Sequence, residues 1–154
     1  MTINTNAAIA EKAAQETVIS AGVIANGAFS TQAQAIALTL STLAAPIAGV
    51  RWADASLDIT VPTLATTGKR IYLYRRDMNH HGDSKHAPVP GVNYEDIYIG
   101  SFKLNAVGTQ QFISHPAVPI SDDAEYYIKN DTGLSTSGTT VVKLTPWTWN
   151  GKPA

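Results

Sequence analysis

Three of the chain's four histidines, His80, His81 and His86, fall within the stretch RRDMNHHGDSKHAPVPGVNY (75–94), beside Asp77 and Asp83. Imidazole and carboxylate side chains ligate zinc and move protons, so the stretch is where metal or acid–base chemistry is sought first. A zinc centre needs ligands converging on one point, commonly supplied as two short pairs. His80 and His81 are adjacent, and on an extended backbone adjacent side chains diverge. No second pair follows, since His115 stands alone beside Pro116. His80, His81 and His86 are therefore the chain's candidate metal ligands, yet a solvated connection between strands accounts for them better, and no cofactor is expected.

Other chemistries fit less well. The run Asp77-x-Asn79-x-His81-Gly82-Asp83 opens like a calcium loop, but the fifth and twelfth positions hold His81 and Pro88 instead of oxygen ligands. A Ser-His-acid triad lacks a G-x-S-x-G elbow. Cupin-type metal sites use an H-x-H pair, and none is present; Glu95 and Asp96 open a strand, and Asp122 and Asp123 suit a turn. The residues point away from an enzyme.

The elements around this stretch read as short strands. SLDITVP (56–62) alternates Leu57, Ile59 and Val61 against polar residues, and KRIYLYRR (69–76) alternates Ile71 and Leu73 against Tyr72 and Tyr74. YEDIYIGSFKL (94–104) is a strand whose Gly100 marks a bulge. QQFISH (110–115), AEYYIKN (124–130) and TTVVKLTPW (139–147) follow, with turn-rich NDTG and STSG between the last two. Upstream, TVISAGVIA (17–25) ends at Asn26-Gly27, a hairpin-type turn. AFSTQAQAIALTLST (28–42) has helix-favouring Ala and Gln, but the period-two placement of Ile36, Leu38 and Leu40 predicts strand for its second half. Residues 5–16 are Ala-rich with a possible cap at Thr5 or Asn6, and a helix that short is marginal alone. The expected organisation is an N-terminal arm (1–16), helical or extended, an antiparallel β-sandwich or jelly roll (17–147), and a tail (148–154).

Composition narrows the function classes. Of 154 residues only 15% are charged while 44% are hydrophobic, against roughly 25% charged in a usual soluble domain. A weakly charged surface suits a protein packed against others. Net charge is −1 with Arg70, Arg75 and Arg76 the clustered cations, too few for phosphate-driven nucleic-acid binding. Cysteine is absent, which removes disulfides and thiolate ligands. No apolar run reaches the length of a membrane span and no export signal is legible, so synthesis in the cytoplasm is expected. Aromatic residues are the remaining lead. Trp147 and Trp149 share a side if the tail is extended, whereas Tyr72, Tyr74, Tyr126, Tyr127 and Trp52 are expected to fill the core or cap its rim.

The strand RIYLYRRD, the polar loop after it, YIGSFKLNAVGTQQF and DDAEYYIKNDTGLSTSGTTVVKLTPW together resemble small virion structural proteins of tailed bacteriophages. In particular they are similar to capsid decoration (cement) proteins built on a jelly-roll or β-sandwich body. The resemblance covers residues 56–147. It implies a non-enzymatic protein of the virion that stabilises the particle from its outer surface. Its implied partners are the major capsid proteins it bridges and its own copies, as a homotrimer. Ile3 and Ile9 in the arm and Trp147 and Trp149 in the tail are the candidate interface residues. The alternatives are a carbohydrate-binding β-sandwich module, which needs a row of exposed aromatics, or another phage head or tail accessory protein.

Overall fold

A computed structural model describes residues 9–38, 51–63, 68–77, 97–106, 108–121 and 124–150. Among the described residues eight strands form two antiparallel sheets: β1 (Ile9–Lys12), β2 (Glu16–Ala21), β3 (Trp52–Thr60), β4 (Arg70–Asp77), β5 (Ile97–Lys103), β6 (Gln110–Pro119), β7 (Ala124–Asp131) and β8 (Ser137–Asn150). The larger sheet runs β1-β8-β3-β6, with β2 also on β8; the smaller runs β5-β4-β7. The chain is an antiparallel β-sandwich.

Alternation is what closes the two layers. Along β3, Ala53, Ala55, Leu57 and Ile59 are buried while Asp54, Ser56, Asp58 and Thr60 are half-buried on the outer face. Ile71 and Leu73 of β4, Phe102 of β5, Ile128 of β7 and Val142 and Leu144 of β8 meet them in one core. Fully burying a Leu or Ile contributes roughly 1.5–3 kcal/mol. Bulges adjust this pattern. In β2 the extra residue is Val18, so two successive side chains, Val18 and Ile19, are both buried. In β5 the register slips beside Gly100, as its sequence predicts, and the glycine has a packing reason as well. A Cβ there would lie 3.2 Å from Val118 and 3.3 Å from the His115 ring, where β5 meets β6 of the opposite sheet.

The two ends of the chain depart from the expected organisation. Residues 9–12, assigned to the arm, are a strand paired with 147–150 of β8, so the extended alternative holds there and the helical one does not. The sheet therefore runs past both expected boundaries, 16/17 and 147/148. β8 passes through Pro146, a residue normally barred from a central strand. The reason lies in the strands it pairs with. Pro146 O accepts the Ala13 amide at 2.8 Å, and a residue's N–H and C=O point to the same side of an extended strand. The missing N–H thus faces the break between β1 and β2, where no ladder bond is required.

A second difference lies at 28–38. The later half of 28–42 is expected as a strand; its described part, 35–38, makes isolated bridges at Ala35 and Leu38, after a bridge at Phe29 and a 3-10 turn at Gln32–Gln34. The Asn26-Gly27 turn forms, with Gly27 at φ 76°, but it does not lead into a hairpin partner. Instead Gly27 N and Ser30 N donate to Asn130 O and Ile128 O of β7, at 2.7 and 2.8 Å, and Ile36 N donates to Val18 O of β2 at 2.8 Å. The segment covers the outer edge of β7 and ties the two sheets together. Leu40 lies outside the described residues.

Candidate functional site

The histidine stretch beyond Asp77 lies outside the described residues, and with it His80, His81, His86 and Asp83. Ile3 lies outside them too. The fourth histidine is placed: His115 is half-buried in β6, its Nδ1 2.9 Å from Pro116 O and its ring edge-on to Phe102 at 6.4 Å. Wedged against Gly100 and Phe102, it serves packing between the sheets. Among the described residues no three His, Asp or Glu side chains gather as a metal site.

Of the expected interface residues, Ile9 and Trp149 are placed by backbone pairing alone, opposite Asn150 and Ala10. Trp147 is half-buried, and its indole Nε1 donates to Asp54 Oδ1 at 3.1 Å. Arm and tail are brought together as the β1–β8 pair at the edge of the larger sheet, and Trp147 lies with Asp54 on the outer face of that sheet.

That face carries a connected polar array. Lys12 Nζ lies 2.7 Å from Asp54 Oδ2, and the Ala117 amide donates to Asp54 Oδ1 at 3.4 Å. The Lys12 hydrogen bond, against a smaller opposing effect of burial, holds the Asp54 carboxyl below its ordinary value of 3.8. Ala117 itself has φ 54°, the one left-handed non-glycine among the described residues. It sits in a bulge where β6 passes β3 with a register shift opposite Asp54, so the carboxylate caps a strained turn. Further along β3, Gln15 Nε2 donates to Ser56 Oγ at 3.3 Å and Gln110 Nε2 to Asp58 Oδ1 at 2.7 Å.

Between these side chains runs a groove. One cavity of about 220 Å³ is lined by Ser56, Asp58, Phe112, Ser114 and Lys143, and a second of about 270 Å³ by Asp54, His115, Pro116 and Thr145. They share Gln15, Ser56 and Ser114 and so form one trough along β3. Phe112, opposite Asp58 in the β3–β6 ladder, is 75% exposed. Trp52, paired with Trp147, is 43% exposed at the other end of β3, not capping the core as its sequence suggested.

The outer face of the smaller sheet differs in character. Tyr98 lies 6.1 Å from Tyr72 and 5.9 Å from Tyr74, and Tyr74 lies 5.2 Å from Phe29, on which the Lys129 ammonium rests at 5.7 Å. Tyr98 is 54% exposed and its neighbour Ile97 45%. At the end of β4 the face turns polar. Arg76 is fully buried with its guanidinium 5.0 Å from the Tyr127 ring, and the Tyr127 hydroxyl donates to Glu125. Tyr126 and Tyr127 are buried, as expected, whereas Tyr72 and Tyr74 belong to the exposed aromatic row.

Sequence reasoning missed Phe112 and Tyr98 as surface residues. A signal was present for the first: Phe112 shares parity with Gln110 and Ser114, and is the apolar interruption of a polar face.

No family model matches the chain. Over 76 residues, 49% of the chain, it is 28% identical to the mouse protein named structure-specific endonuclease subunit SLX4 (Mus musculus). The chain spans 5% of that protein's length. Among solved structures, a carbohydrate-binding module from the glycoside hydrolase family 9 protein Cel9A of Ruminococcus flavefaciens FD-1 superposes with a TM-score of 0.34 and 11% identity. That superposition covers 81% of this chain and 98% of the module.

Proposed function

We propose that this chain is a non-enzymatic structural protein of a tailed-bacteriophage virion, a decoration protein that binds the outer surface of the capsid. It bridges neighbouring major capsid proteins and acts as a homotrimer, and it is made in the host cytoplasm. The observation that carries the reading is the aromatic row Tyr72–Tyr98–Tyr74–Phe29, open to solvent at Tyr98 and Ile97. Exposed aromatic residues are enriched at the centres of protein interfaces, where charged groups are depleted. The row lies in a chain of low charge, and its strands β4 and β5 are among those on which the resemblance to cement proteins rests.

The mechanism is multivalent burial. Each subunit presents one modest apolar patch, and a trimer presents its copies at high effective concentration to a symmetric lattice. The test is sedimentation of purified protein with undecorated particles of the parent phage. Wild type is expected to co-sediment at saturable stoichiometry, and a Tyr98→Ala, Ile97→Ser variant to remain in the supernatant. Wild type that stays in the supernatant at every concentration overturns the proposal.

A further inference from the structure

We propose that the trough along β3 on the larger sheet binds a neutral oligosaccharide. This goes beyond capsid docking and does not rest on it, since the trough and the aromatic row lie on opposite sheets.

The floor decides the class of ligand first. β3 is hydrogen-bonded to β6 on one side and to β8 on the other, so its backbone offers no open edge of free donors and acceptors. An extended peptide recognised by strand addition needs such free groups. Only side chains can read what lies in this trough, and they are amides, hydroxyls and carboxylates. Gln15 beside Ser56 sets a donor next to an acceptor, and the Asp58 carboxylate lies further along the same lining. Adjacent hydroxyls of a sugar ring, each able to donate and to accept, match that arrangement.

Charge narrows it further. The carboxylate of Asp54 is offset by Lys12, and Asp58 lines the same cavity as Lys143. With its charges balanced, the trough favours neither polyanions nor cations. Phe112, mostly exposed where the cavity opens, supplies an apolar surface against which the C–H face of a pyranose can lie. Asp54 and Asp58 are four residues apart on β3, about 13 Å at roughly 3.3 Å per residue, long enough for more than one sugar unit.

The test is a titration of the isotope-labelled protein, followed by amide NMR shifts, with cellohexaose, xylohexaose, mannohexaose and maltohexaose. At least one is expected to shift amides within 54–58, 110–116 and 141–145. Phe112→Ala and Asp58→Asn should each abolish the shifts, and Tyr98→Ala on the other sheet should leave them intact. The variants' unperturbed spectra report directly that they fold. Absence of shifts with all four sugars overturns the proposal, as do shifts confined to another surface or shifts that survive Phe112→Ala. A sulfated heparin oligosaccharide binding more tightly than every neutral sugar overturns its neutrality.

Discussion

Asp54 joins β1, β3, the β6 bulge and β8 through single bonds to Lys12, Ala117 and Trp147. Its carboxyl is held below 3.8, so its contribution to stability is complete above that pH and is lost as pH falls through the lowered value. Replacing it with Asn should lower the urea midpoint at pH about 6 by the equivalent of about 1 kcal/mol or less, as for a solvent-screened pair. The gap to wild type should narrow as pH falls through the lowered value and the wild-type carboxyl is itself protonated. Ala117, under the same carboxylate, invites the opposite change. A left-handed backbone costs an L-residue roughly 1–2 kcal/mol, so Ala117→Gly should raise the midpoint despite glycine's extra freedom when unfolded. Asn130 is the costly residue to lose. Fully buried, it donates to Ile24 O and Leu134 O and accepts from the Thr132 amide and hydroxyl, locking the turn between β7 and β8. Asn130→Ala strands the Thr132 amide, whereas Ile24 O keeps the Thr136 amide and Leu134 O keeps the Thr132 hydroxyl, and should cost about 1–3 kcal/mol, measured by denaturant unfolding.

Among the elements, β8 organises the larger sheet because it alone pairs with β1, β2 and β3. Deleting residues 1–12 should therefore speed hydrogen exchange in 147–150 while leaving β3 and β7 protected, a contrast that exchange mass spectrometry reads directly. The same element shows where the sequence is informative and where it is not. The bodies of β3 and β4, the Gly100 bulge and the NDTG turn are written in local period and turn chemistry, and each forms where that pattern places it. The passage of β8 through Pro146 is not, because it depends on a break in a strand more than a hundred positions upstream in the chain. Residues 28–38 have strand-like spacing at Ile36 and Leu38, yet they serve as an edge cover: β7 offers open backbone groups that this segment reaches. The trough was illegible for a related reason. Phe112, Asp58 and Lys143 come from three strands, and only the ladder register makes them neighbours.

At the scale of the whole molecule, the sandwich has two unlike outer surfaces, an aromatic one on β4, β5 and β7 and a polar trough on β3, β6 and β8. On a particle, the proposed arrangement sets the first against the capsid and leaves the second facing out. Docking through rings rather than charges should resist salt. Raising ionic strength from about 0.1 M to about 1 M, which shortens the screening length from about 10 Å to about 3 Å, should change capsid occupancy little in the sedimentation assay. A steep loss would show that charged contacts dominate. The pairing of Ile9 with Asn150 has a further consequence for how the chain reaches this state. During synthesis β4, β5 and β7 are complete while β8 is still inside the ribosome, so β1 and β2 emerge early and wait without a strand to pair with. The smaller sheet needs only β4, β5 and β7, but the larger one closes only once β8 has emerged. Its long-range ladders make that closure slow relative to local structure. The newly made protein therefore passes through an interval with one sheet formed and apolar Val18, Ile19, Leu57 and Ile59 uncovered, when neighbouring nascent chains are its most available wrong partners.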